Sequence, residues 1–151
     1  MKLGGIFEIK TAKGNAYLHY IYKHKTLGTL IRVLPGLYAE RPSNFDEIAK
    51  EQERYMIFFP LGAASRRKIV EKAGHYSAEG FGMPKYMRDP HNIGKEFLGW
   101  HIVDTKTWKR ELVRTLTPEQ KQLSDWASWN DTLLRERLEQ GWVLEEWKPF
   151  D

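Results

Sequence analysis

The chain has 151 residues, 41% apolar and 29% charged, with a net charge of +4; that balance belongs to one globular domain and not to a disordered segment. It contains no cysteine, which excludes a disulfide framework, a thiolate nucleophile, a zinc knuckle and an iron–sulfur site. Glu8 and Lys10 interrupt the N-terminal MKLGGIFEIK before an apolar signal region can build, and the longest apolar run, near Tyr55–Ala64, falls far short of the roughly 20 residues of a membrane helix, so a cytoplasmic protein without a membrane partner is expected.

The first two thirds of the chain read as strands. Gly5–Thr11 carries Ile6, Phe7 and Ile9, and Lys13-Gly14-Asn15 has turn chemistry. Ala16–Tyr22 is rich in aromatic and β-branched residues, with Leu18, Tyr20 and Tyr22 expected on one face and Tyr17, His19 and Ile21 on the other. Gly28–Leu34 follows and is ended by Pro35-Gly36. Phe45–Gln52 has room for one or two helical turns, capped by Ser43 or Asn44. Tyr55–Leu61 is apolar on both faces and is expected to be a central strand, with Ala64–Ala73 as a more exposed one. Gly74–Gly94, rich in Gly, Pro, Asp and His, reads as a long surface loop. Phe97–Val103 and Thr107–Leu116 should pair as a hairpin through Asp104-Thr105-Lys106.

The period then changes. Thr117-Pro118-Glu119-Gln120 is a helix start with a capping box. A second helix is predicted from about Asp131 to Gln140, closed by Gly141, and a short strand over Trp142–Leu144. Strands followed by helices argue for an α+β fold: a mostly-β single domain over residues 1–151, built on a curled antiparallel sheet or small barrel and followed by two short C-terminal helices.

Charge is uneven. Residues 1–116 hold 20 Lys/Arg against 12 Asp/Glu, and residues 117–151 hold 4 against 8. No Walker loop, GxGxxG, GxSxG or HExxH occurs. The five histidines, His19, His24, His75, His91 and His101, lack the close spacing of a metal site, and no metal or cofactor is expected. Acid pairs can be drawn among Glu71, Glu79, Asp89, Glu96 and Asp104, and with His75, His91 or His101 they would make a small hydrolase; in a chain with 20 acids such pairs arise by chance. Ser65-Arg66-Arg67-Lys68 and scattered lysines among aromatics keep a nucleic-acid-binding module as an alternative. Trp126, Trp129, Trp142 and Trp147 bracket the helices and should fasten them to the sheet.

Three stretches, Leu30-Ile31-Arg32-Val33-Leu34-Pro35-Gly36, Phe58-Phe59-Pro60-Leu61-Gly62-Ala63-Ala64 and Trp129-Asn130-Asp131-Thr132-Leu133-Leu134 with Glu136-Arg137, together with Gly5-Ile6-Phe7-Glu8-Ile9, resemble the immunity protein 26 family of bacterial polymorphic-toxin systems. The resemblance implies a mostly-β, non-catalytic cytoplasmic protein that binds and neutralises a cognate toxin domain. For such a role the loop and hairpin residues Tyr86, Arg88, His91, Trp108 and Arg110 are the expected contacts.

Overall fold

A computed structural model describes residues 1–151. Strands β1 (Gly5–Thr11), β2 (Gly14–His24), β3 (Gly28–Val33), β4 (Tyr55–Phe58) and β5 (Val70–His75) form one antiparallel sheet in the order β4-β3-β2-β1-β5. Strands β6 (Tyr86–Ile93), β7 (Glu96–Asp104) and β8 (Arg110–Val113) form a second, in the order β6-β7-β8. Three short helices, α1 (Asp46–Lys50), α2 (Leu61–Arg66) and α3 (Asp131–Gln140), complete the α+β architecture. The strands thus divide between two sheets, and no barrel closes.

What joins the sheets is an extended strap, Ser124–Trp129. Arg88 N–H donates to Ser124 O (2.9 Å), Trp126 N–H to Arg88 O (2.8 Å) and Trp129 N–H to Phe58 O (2.9 Å), so the strap pairs with the outer edge of β6 and then with β4. The strap explains two departures from the sequence reading. The capping box at Thr117 forms, with Gln120 N–H on Thr117 Oγ1 (3.2 Å) and Thr117 N–H on Gln120 Oε1 (2.9 Å). Yet only a single 3₁₀ turn, Gln120–Gln122, follows it, because Ser124 is drawn into extended pairing with β6. Gly74–Gly94 is likewise no continuous loop: it contains the end of β5 and the whole of β6, and Pro90 is tolerated there because its nitrogen lies on the same outward edge as that of Arg88, where no β7 bond is lost.

Two further boundaries move. Tyr55–Leu61 is strand only to Phe58, since Leu61-Gly62-Ala63-Ala64 winds into α2 after Pro60 and buries Leu61 and Ala64; β5 begins only at Val70. Trp142–Leu144 forms no strand; a 3₁₀ turn over Leu144–Glu146 tucks Leu144 and Trp147 inside instead. Helix α3 lies where the sequence puts it, with Asn130 Oδ1 accepting from Leu133 N–H (2.8 Å) and Gly141 in the left-handed conformation at φ 67°.

The main core lies between one face of the five-stranded sheet (Phe7, Ile9, Leu18, Tyr20, Ile31, Val33, Ile57) and a cover made by α3, Trp100, Trp129 and Trp147. The opposite face of β2 is buried as well: Tyr17 packs with Phe45 and Ala49 beside α1, and Ile21 with Leu30, Phe58 and Met87. A bulge places Ile21 as an extra residue between Tyr20 and Tyr22. It breaks the expected alternation and leaves Tyr22 at the surface, 39% exposed.

Buried arginines organise the cover. Arg137 lies 4.4 Å from the Trp129 ring and 4.2 Å from that of Trp142, while Arg88 lies 4.5 Å from both Trp100 and Trp147. With Trp142 and Trp147 in edge contact at 5.7 Å, the result is one ladder, Trp129–Arg137–Trp142–Trp147–Arg88–Trp100. Such desolvated cation–π contacts are worth up to about 2 kcal/mol each. Arg32 does similar work under α1, donating to Glu53 (2.8 Å), Ala49 O (2.9 Å) and Glu51 O (2.8 Å) and to His19 Nδ1 (3.0 Å). His19 Nδ1 must then accept, so Nε2 carries the proton and donates to Tyr76 O (2.7 Å).

Candidate binding surface

The β7–β8 turn builds an exposed aromatic feature. The Asp104 carboxylate accepts from the amides of Lys106 (2.9 Å) and Thr107 (3.0 Å), which holds its pKa below the usual carboxylate range. Trp108 N–H closes the turn on Asp104 O (2.7 Å), and Trp108 itself sits at φ 67°. A bulky residue in the left-handed region is strained by roughly 1–3 kcal/mol and persists only where its surroundings hold it there.

Those surroundings are a closed box of four rings from four elements. Trp108 stacks on His24 (5.8 Å, 28°), His24 meets Phe58 (6.1 Å), Phe58 meets Trp126 (5.7 Å), and Trp126 returns to Trp108 (6.0 Å). Phe58 is the buried root, 1% exposed, and Trp108 is 47% exposed. The His24 ring is pinned, because its Nδ1 accepts from the amides of Thr26 and Leu27, both at 3.0 Å. Tyr22, 39% exposed, lies beside the box at His24, while Tyr86, equally exposed, lies across from Asp104 on β6. A hollow of about 530 Å³ opens there between Tyr22, His24, Pro84, Lys85, Asp104 and Lys106. Lys23, Lys25, Lys85, Lys106 and Lys109 are all exposed, and none is in an ion pair.

Of the expected contacts, Tyr86 and Trp108 are both exposed and each is tied to Asp104, Tyr86 as its cross-strand neighbour on β6 and Trp108 through its backbone N–H, but their rings do not touch. His91 and Arg110 belong to a second group: His91 packs on His101 (4.7 Å), and Arg110 Nη1 donates to both Asp89 oxygens (3.1 and 3.0 Å) and contacts His101 Nδ1 (3.2 Å). Arg110 is thus neutralised within the chain. Arg88 is corrected outright. It is 1% exposed and donates to Leu123 O (3.1 Å), Lys121 O (2.9 Å) and Leu144 O (2.7 Å), so it organises the interior and offers no side chain to a partner. Burial pushes its pKa down to about 10, which leaves it protonated at neutral pH.

Sequence reasoning missed Tyr22, His24 and Trp126. The aromatic run of β2 was the available signal, but only the topology brings the β2–β3 turn, the strap and the β7–β8 turn to one place. The Arg66-Arg67-Lys68 run ends α2 beside β5 and shares no element with the exposed rings. His75 lies on the first sheet and His91 and His101 on the second, so the three do not gather. The largest hollow, about 760 Å³, lies over the ladder at Trp142 and Trp147, with Arg114, Lys148, Glu145 and Glu146 among its mixed lining. No helix is long and apolar enough to cross a membrane.

Compared with known protein families, curated proteins and solved structures, the chain matches none.

Proposed function

We propose that this is an immunity-type binding protein that neutralises a toxin domain by direct contact, with Trp108 as the central anchor. The observation that carries the proposal is the aromatic box: a half-exposed Trp in strained backbone, gripped by His24 and Trp126 over buried Phe58. An anchor held rigid before binding loses little entropy on association, which is what a tight neutraliser requires. The resemblance to immunity protein 26 supports the same reading. The residues that carry it fall on β1, β3, the β4–α2 segment and α3, which are scaffold, whereas Trp108, Tyr86, Tyr22 and His24 lie outside them. A shared scaffold with its contacts on separate turns is the arrangement by which one fold serves different partners.

The test is a tagged pull-down from the native host, with stoichiometry by mass spectrometry, followed by expression of the recovered partner's domain alone. A one-to-one partner that arrests growth, and whose arrest this protein relieves, bears the proposal out. A partner that is harmless when expressed alone, or whose toxicity this protein leaves unchanged, refutes it.

A further inference from the structure

The surface around Trp108 carries two signs of charge. On one side of Asp104 the hollow is bounded by Lys85 and Lys106, with Lys23 and Lys25 flanking His24. On the other side a cleft of about 530 Å³ is lined by Ile102, Leu123, Lys109, Arg110, Glu111 and Glu119. Arg110 is already bound to Asp89 there. Glu111 and Glu119 are exposed and in no ion pair. The hollow and the cleft share Asp104, so the surface runs from free lysines, past Asp104 in the β7–β8 turn that carries Trp108, to a cleft where the free carboxylates of Glu111 and Glu119 stand beside Lys109.

A nucleic acid supplies only anions, and its backbone needs a continuous basic track over several nucleotides. A strand laid from this hollow past Asp104 into the cleft would run from the lysines to Glu111 and Glu119. A protein face has no such restriction, since it can present both signs in register. We infer that the occupant of this surface is a protein face that sets carboxylates against Lys85 and Lys106, a cation against Glu111 and Glu119, and an apolar hollow over Trp108. The inference rests on the binding role proposed above and specifies its partner.

The experiment places p-benzoyl-phenylalanine at Trp108, and separately at Lys106, in the full chain expressed in its host. The cross-linked peptide is then sequenced, and association rates are measured with the recovered partner. The expected adduct is a protein, cross-linked at an apolar segment from position 108 and at a segment rich in Asp and Glu from position 106. The pair Lys85→Glu/Lys106→Glu and the pair Glu111→Lys/Glu119→Lys should each slow association roughly tenfold or more at low ionic strength, with both variants unchanged in circular dichroism. A 20-residue oligo(dT) is the competing probe. If it binds, and binds more tightly once Glu111 and Glu119 are reversed, the occupant is a polyanion and the inference falls. If the host partner is recovered but cross-links only from other surfaces, the inference falls while the neutralising role stands. A partner that cross-links here and responds to both reversals, yet arrests no growth, upholds the inference and removes the neutralising role.

Discussion

Replacing Arg88 by Met separates a buried organiser from a contact residue. Methionine keeps most of the volume between Trp100 and Trp147 but removes the charge and every donor. The carbonyls of Leu123, Lys121 and Leu144 lose their bonds at 3.1, 2.9 and 2.7 Å. Bonds from a charged donor contribute about 1.5–3 kcal/mol each, and a carbonyl left buried and unpaired costs about 1–3 kcal/mol. Two cation–π contacts at 4.5 Å also go. Against this, Arg88 Nη1 has no partner, and releasing a desolvated guanidinium returns several kcal/mol. The net expectation is a loss of about 3–5 kcal/mol. In urea unfolding followed by tryptophan fluorescence this should lower the midpoint by roughly 2 M, given slopes of about 1–3 kcal/mol per molar. Arg88→Lys should fall between wild type and Met, because an ammonium can reach one carbonyl but cannot fill the sandwich. A loss below 1 kcal/mol for Arg88→Met, or weakened partner binding with unchanged stability, would show the organising role to be wrong.

Trp108→Ala should leave the unfolding free energy within about 1 kcal/mol of wild type, since the ring is half exposed, while weakening binding of the recovered partner by about 2–4 kcal/mol in calorimetry; a stability loss with unchanged affinity refutes the anchor. His19 and Asp125 should make opposite contributions to acid stability. Burial holds the His19 pKa down to about 4 from 6.5, so the unfolded chain takes up the proton first; the contribution is full above about pH 6.5 and lost as pH falls towards 4, roughly 3 kcal/mol in all. Burial raises Asp125 to about 6 from 3.8, so its contribution is full below about 3.8 and lost as pH rises through 6, again roughly 3 kcal/mol. Relative to wild type, His19→Gln should therefore gain stability, and Asp125→Asn lose it, as urea midpoints are followed from pH 7 down to 4; parallel curves for all three proteins would defeat the assignment. Asn130→Ala removes the cap on Leu133 N–H and should cost about 1 kcal/mol in thermal unfolding, with no change in partner affinity.

Local chemistry written in adjacent residues was legible. The edges of β1 to β3 followed from alternating apolar residues and glycine turns, and α3 followed from its leucine stripe and Gly141. Tyr86 and Trp108 were singled out for their place in a loop and a hairpin, and both rings are exposed. Arg88 was misread because a charged residue in a Gly- and Pro-rich stretch has the composition of a surface loop. Nothing near it in sequence announces that Trp100 and Trp147 will close over it, or that three carbonyls from residues 121 to 144 will accept its protons.

By itself, then, the sequence determined the α+β class, the turn between β1 and β2, the β7–β8 hairpin and the Gly141 cap of α3, all of which depend on periodicity and turn preference within about a dozen residues. The tertiary structure alone decided that the strands divide into two sheets, that Ser124–Trp129 leaves its helical start to stitch them together, and that His24, Phe58, Trp108 and Trp126 meet in one box. The physical reason is the same in each case. Long-range pairing satisfies backbone groups and buries rings that local structure would leave exposed, and its partners are chosen by where the chain returns in space, which local periodicity does not encode.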